Sequence, residues 1–325
     1  MHDHVRSLIV LPDDGIEPVI EGMGRARKTL RIKMFLFSEP RLLDAVIAAH
    51  RRGVKVRVML NPARRSGESE NDEVRGKLVA AGVDVRDTDP HFDISHEKSM
   101  VVDDTEAFVK SHNWAPKNFG HTRDYAVITR DPAEIAEIVA VFEQDWKEGK
   151  FHPDDDHLLI WCKGNGRKRI ARFIDGAKHT LCMQNERYQD PTIVERVVHA
   201  KARGVHVRVM SLPPHALKEK KLLEGVAGLR LMHDVGVKVH RLKGLHLHAK
   251  MLLADGERAI VGSLNIAPGS FDDRRELAIE VHDHHIVRRL ERTFEHDWDN
   301  SHAIDLTDEG IHKDLEKHGR DDDAI

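Results

Sequence analysis

The chain has 325 residues, with 51 Lys and Arg against 55 Asp and Glu, a formal net charge of −4 and only two cysteines. The charges are well mixed, without a basic tail, an Arg-rich block or an aromatic platform, which argues against a dedicated nucleic-acid binder, although a local cleft can be positive on an acidic protein. The polar start (Met1 to Arg6) precedes only a short apolar run, so no signal peptide or membrane span is expected. Cys162 and Cys182 make no disulfide framework, which fits a reducing, cytoplasmic setting.

In chain order, Thr29-Leu30 opens an apolar, strand-like run. Pro40–Gly53 begins with Pro, ends with Gly and carries Leu42, Leu43, Val46 and Ile47 at helical spacing, which predicts a helix. The alternation at 54–58 predicts a half-buried strand. Arg64–Asp72 is polar and reads as a loop or helix entry. Then comes His96-Glu-Lys98, four residues, Asp103, six residues, and Lys110-Ser111-His-Asn113, with Asp124 further on. Residues two apart in a strand share a face, so His96 and Lys98 project together. Asp103-Asp104 reads as a hairpin turn, and the returning strand 107–109 brings Ser111 and Asn113 back beside the histidine. Phe142–Trp146 closes a helical segment whose aromatics read as core.

After a join near 150–156 the order repeats. Thr180-Leu181 opens a strand. Pro191–Gly204 carries Ile193, Val194, Val197 and Val198 at helical spacing, and 205–209 alternates. His248-Ala-Lys250, Asp255, Gly262-Ser263-Leu-Asn265 and Glu276 follow at matching distances, with Asp255-Gly256 as the turn, and Phe294–Trp298 closes the half. The expected domains are 1–150, 151–300 and a charged, disordered tail at 301–325. Strands alternating with helical segments imply an α/β fold with a mixed sheet flanked by helices in each half.

Four further features lie outside the shared pattern. His282-Asp-His-His285 follows an apolar run where a helix N-terminus is expected, and reads as surface rather than as a metal site. His246, whose counterpart is Ile94, is either a substrate contact or a rim residue. Lys110 stands where the second copy has Gly262; an exposed, harmless cation is slightly favoured over an extra phosphate contact. Lys218–Lys221 reads as a solvated helix face.

Two histidines, two lysines and no metal or cofactor suit attack on a phosphodiester. One imidazole attacks phosphorus, and the other protonates the leaving oxygen and later deprotonates water or an alcohol. Lys98 and Lys250 would neutralise developing charge. Asp124 would orient His96 and Glu276 would orient His248 through the far ring nitrogen. Ser111, Asn113, Ser263 and Asn265 would add neutral hydrogen bonds to the phosphate oxygens.

The chain resembles the phospholipase D superfamily, whose signature is His-x-Lys-x4-Asp-x6-Gly-Ser-x-Asn. The second copy matches at every fixed position, and the first departs once, at Lys110. In both copies the signature aspartates, Asp103 and Asp255, are read as structural. The resemblance implies two homologous halves packed as a pseudo-dimer, both motifs at their interface, so that a monomer suffices for one complete active site. It also implies that His96 is the nucleophile, with His248 the general acid and then base. The reaction it favours is that of a phospholipase D or phosphatidyltransferase, with a phospholipid and water or an alcohol as partners and peripheral membrane contact through surface loops. The family's bacterial cardiolipin synthases likewise carry two motifs, typically behind N-terminal membrane helices. A metal-independent nuclease is the second reading. A non-catalytic phosphate-binding module is the third, although its mark, loss of a His or Lys, is missing. Head group, acceptor and oligomeric state stay open.

Overall fold

The computed structural model describes residues 4–62, 70–151, 153–217 and 219–318. The expectations for Arg64–Asp72 and Lys218–Lys221 fall largely outside them. The chain forms two compact units: one holds residues up to Gly166 together with Val261–Leu264 and Gly269–Glu280, the other Arg167–Ile260, Asn265–Pro268 and the chain from Val281. A strip of the second repeat therefore packs within the first unit.

The first unit is a mixed sheet in the order Arg6–Leu11, Thr122–Thr129, Glu106–Lys110, Ser99–Val102, Thr29–Met34, Lys55–Leu60 and Asp84–Asp87. The last three strands run parallel and the others antiparallel. Parallel neighbours need a crossover, and the helix Pro40–Arg51 provides the first of them. Pro40 sits at its first turn, Glu39 accepts a hydrogen bond from the Arg41 N–H, and Gly53 follows its end at φ 88°. Leu42, Leu43 and Val46 enter the core with Leu30, Ile32, Val56 and Val58.

The second unit repeats this plan. Its sheet runs Ser301–Ala303, Lys238–Leu242, His206–Met210, Thr180–Gln184 and Met251–Ala254, with the three middle strands parallel. The helix Pro191–Ala202 is capped by Asp190 and followed by Gly204, again at φ 88°.

The segment 301–318 is folded, which corrects the expected disordered tail. Ser301–Ala303 pairs antiparallel with Lys238–Leu242, Ile304 and Leu306 are buried, and Arg230 Nε donates to the Leu306 carbonyl at 2.7 Å. A helix, Asp308–His318, follows. Charged composition concealed two apolar anchors and an Asp305–Thr307 turn in which Thr307 N–H and Oγ1 both donate to Asp305. Residues 319–325 lie outside the described part. Among the described residues no helix is long and apolar enough to cross a membrane.

Candidate active site

Both motif hairpins turn where the sequence places them. Asp103 and Asp104 have φ of 52° and 56°, and Asp255 and Gly256 of 57° and 65°, the left-handed pair of a two-residue hairpin. The turn aspartates also anchor the preceding strand. Asp103 accepts backbone N–H bonds from Arg27, Lys28 and Thr29 at 2.7–2.8 Å. Asp255 accepts the equivalent bonds from Lys178, His179 and Thr180. Burial alone would raise these carboxyls, but the three N–H donors hold each below the usual range.

Each lysine folds back on its own histidine. Lys98 Nζ donates to the His96 carbonyl at 2.6 Å, and Lys250 Nζ to the His248 carbonyl at 2.5 Å. His96, Lys98, Asp124, Ser111, Asn113, His248, Lys250, Ser263, Asn265 and Glu276 are all buried. Asn113 and Asn265 immediately precede matching backbone junctions. Ser38 and Glu39 N–H donate to Trp114 O, and Gln189 and Asp190 N–H donate to Ile266 O. The Oδ1 of each asparagine is buried without a hydrogen-bond partner among the described residues, so both amides keep capacity for a ligand.

The carboxylate behind His96 comes from the other repeat. His96 Nδ1 lies 2.9 Å from Glu276 Oε2 and 3.1 Å from both Glu276 Oε1 and the Ser263 carbonyl. This corrects the expected pairing of His96 with Asp124. The cause is backbone register: Arg274–Val281 runs parallel beside Ile94–Ser95, and the N–H groups of His96 and Glu97 both donate to Arg275 O at 2.9 Å. Residue 276 is thereby set against the imidazole.

The serines are also reassigned. Ser111 Oγ donates to Asp124 Oδ1 at 2.5 Å, and Ser263 Oγ to Glu276 Oε2 at 2.6 Å. A hydroxyl has one proton to give, so both serines steady carboxylates rather than phosphate oxygens. Thr122 Oγ1 and Asn118 Nδ2 also donate to Asp124 Oδ2, at 2.6 and 3.2 Å.

The sequence model described as "Cardiolipin synthase, PLD-like domain" matches the chain twice, at residues 19–146 and 170–298. The chain belongs to this family of phospholipase D-like enzymes. Cardiolipin synthase B of Escherichia coli K12 is 25% identical over 318 residues, covering 84% of this chain and 75% of its own. Human mitochondrial cardiolipin hydrolase is 30% identical over 142 residues, 43% of this chain and 54% of its own. Among solved structures, the phosphatidylserine synthase of Haemophilus influenzae superposes with a TM-score of 0.75 at 10% identity, covering 98% of this chain and 94% of that one. A polyphosphate kinase from Porphyromonas gingivalis does so at 0.72 and 15% identity, covering 93% and 48%. At such identities the likeness is one of fold.

Within this PLD-like frame the two half-sites differ in charge. Lys98 Nζ lies 5.2 Å from the Phe35 ring centroid, and Phe35 meets His96 edge-on at 4.9 Å. In the second half, Lys250 Nζ instead pairs with Glu186 at 2.6 Å, both groups buried. Burial alone would raise the Glu186 carboxyl, but Lys250, then His248 and Arg187, outweigh it and hold the group well below the usual range. Glu186 went unnoticed in the sequence because it occupies the position of Phe35 and so has no repeat partner to announce it.

A second group missed in the sequence lies behind His96. Lys33 Nζ bonds Glu97 at 2.9 Å and Asp145 at 2.6 Å, and Arg275 Nη2 bonds Asp145 at 2.7 Å, all four side chains being buried. Glu97 and Arg275 neighbour His96 and Glu276 in the chain, so this network fixes the strand pair that carries them. His246 is exposed and lines a cavity of about 270 Å³ with Arg241 and Leu212. His282–His285 straddles the start of the helix His284–Asp299, as expected.

Lys110 is fully buried, not an exposed cation. Its backbone N–H donates to Lys98 O, placing the two lysines opposite one another on adjacent strands. Its Nζ lies 4.2 Å from the Trp114 ring centroid and has no hydrogen-bond partner among the described residues. Burial, then repulsion from Lys98, lowers its pKa well below the ordinary value, with Glu97 opposing. Gly262 could not be replaced in the same way, because a Cβ there would lie 2.3 Å from that of Ala278. Lys110→Met is expected to raise stability by about 1–4 kcal/mol at neutral pH, the range seen when buried charged groups give way to apolar ones. Because the folded pKa is depressed, the unfolded chain binds the extra proton, so the wild type gains stability as pH rises and the gap should shrink towards pH ~10. Urea unfolding at pH 7 and 9.5 checks both; a less stable variant at pH 7 would show that Nζ is held by favourable contacts.

Proposed function

We propose that the chain is a phospholipid phosphodiesterase or phosphatidyltransferase acting through a phosphohistidine, with His96 as nucleophile and His248 as general acid and then base. The observation that carries the assignment is the carboxylate on His96 Nδ1. It draws the Nδ1 proton to Glu276 and makes Nε2 the lone-pair nitrogen. His96 Nε2 attacks phosphorus while the leaving alkoxide takes a proton from His248. Water or an alcohol then gives its proton to His248 and attacks the same phosphorus, and the P–N bond breaks. Lys98 Nζ, 5.2 Å from the Phe35 ring centroid, meets the phosphate oxygens, whereas Lys250 is paired with Glu186.

The lipid substrate is supported by the cardiolipin synthase and cardiolipin hydrolase relatives, by the acidic overall charge and by both motifs lying in one chain. On this reading the protein works from the cytoplasm at a membrane surface and needs no metal for turnover. Purified protein in EDTA would be given phosphatidylglycerol vesicles, phosphatidylcholine vesicles, single-stranded DNA and bis(p-nitrophenyl) phosphate. Turnover of lipid is expected to exceed that of DNA at equal phosphodiester concentration; the reverse ranking makes the protein a nuclease. With the activated substrate, His248→Ala is expected to stall with the phosphoryl adduct on His96, read by acid-quenched mass spectrometry. An adduct on His248 in His96→Ala would reverse the roles.

A further inference from the structure

We propose that His215, Asp314 and His318 form a zinc site that staples the C-terminal helix to the turn Pro214–Ala216. Their ligand atoms lie within 4.8 Å of one another, the only such group of three among the described residues. Asp314 and His318 stand four apart on the helix Asp308–His318 and so share one face. His215 is presented by a short 3-10 turn that Pro213 and Pro214 pre-set.

An ordinary ion pair explains only part of this arrangement. Asp314 Oδ2 accepts both the His215 N–H, at 3.0 Å, and its Nδ1, at 2.8 Å. That accounts for two residues. It leaves the His318 imidazole stacked on that of His215 at 4.3 Å and 20°, with neither ring nitrogen of His318 bonded to another described residue. Two stacked imidazoles repel when both are protonated. A metal requires them neutral and convergent, with the carboxylate beside them. Tetrahedral zinc at 2.0–2.1 Å from each ligand sets neighbouring donor atoms roughly 3.3 Å apart, so small side-chain rotations suffice and the fourth position is left to water.

Two nitrogens and one oxygen select zinc over calcium or magnesium. Arg241, Lys313 and Lys317 line the adjoining cavity of about 240 Å³ with Asp314 and His318. Their charge weakens attraction for any dication, so micromolar rather than nanomolar affinity is expected. The staple would also stiffen the segment 211–217, one wall of the cavity that holds His246.

The test is titration calorimetry of zinc into EDTA-stripped full-length protein, with melting curves alongside. One equivalent should bind at pH 7.5 and raise Tm. His318→Ala, which removes an exposed side chain, and Asp314→Asn should each lose at least tenfold in affinity together with the Tm rise. A His284→Ala/His285→Ala double variant should bind as the wild type does. No zinc uptake by the wild type, uptake unchanged in His318→Ala, or uptake lost only in the double variant would each overturn the proposal.

Discussion

Glu276→Gln is expected to lower kcat by roughly 10²- to 10⁴-fold with little change in KM, the scale on which an imidazole loses its orienting carboxylate. Glutamine keeps the shape but can present its amide nitrogen to His96 Nδ1, which favours the wrong tautomer. Burial, opposed by Lys98, Arg274 and the Ser263 hydroxyl, pushes the Glu276 carboxyl up to about 7. Wild-type kcat/KM should therefore rise through about pH 7 as the pair with His96 loses its proton, and Glu276→Gln should lack that limb. The stability sign is opposite. The folded carboxyl holds its proton from about 4.5 to about 7 while the unfolded one has lost it, so this group's contribution falls as pH rises through that window. Glu276→Gln should be at least as stable as wild type above pH 7 while being far less active. A near-wild-type kcat would reduce Glu276 to a packing partner.

Asp145→Ala should cost about 3–5 kcal/mol, because it takes the carboxylate from buried Arg275 and leaves Lys33 with Glu97 alone. Burial works against the Asp145 carboxylate, but Lys33 and Arg275 outweigh it and hold its pKa below the usual value. The contribution is thus present above the ordinary carboxylate range and lost on acidification through the lower folded value. The second repeat solves the same problem without charge on the donor: Gln184 Nε2 bonds Asp297 at 2.9 Å. Lys33→Gln, which copies that solution, should cost less, since Arg275 still pairs with Asp145 and Glu97 keeps the Ser99 hydroxyl. Urea denaturation of the two variants makes the comparison. A loss below ~1 kcal/mol in Asp145→Ala would mean that water reaches the orphaned Arg275, as it does at surface pairs.

What could be read from the sequence was local or repeated. The hairpins at Asp103 and Asp255 and the Pro-to-Gly helices at 40–53 and 191–204 depend on neighbours a few residues away, and each was seen twice. The partner of His96 could not be read, because two equivalent carboxylates at equal spacing give no sign of which repeat they serve. Pairing of Arg274–Val281 with Ile94–Ser95 decides it. Lys110 was misread because lysine is seldom fully buried, and its burial depends on the strand opposite. The tail was misread because charge outnumbers apolar anchors there, yet Ile304 and Leu306 suffice to dock it.

The paired N–H bonds from His96 and Glu97 to the Arg275 carbonyl have a consequence for timing. His96 and Glu276 are 180 positions apart in the chain. During synthesis the first motif can complete its hairpin and bury its lysine while its imidazole still lacks a fixed tautomer. Loop closure over that distance comes late, because its entropy must be lost before any contact rewards it. The pair of His96 with Glu276 is therefore expected to assemble near the end of folding, and on the proposed mechanism a half-made chain carries the motif but not the reagent.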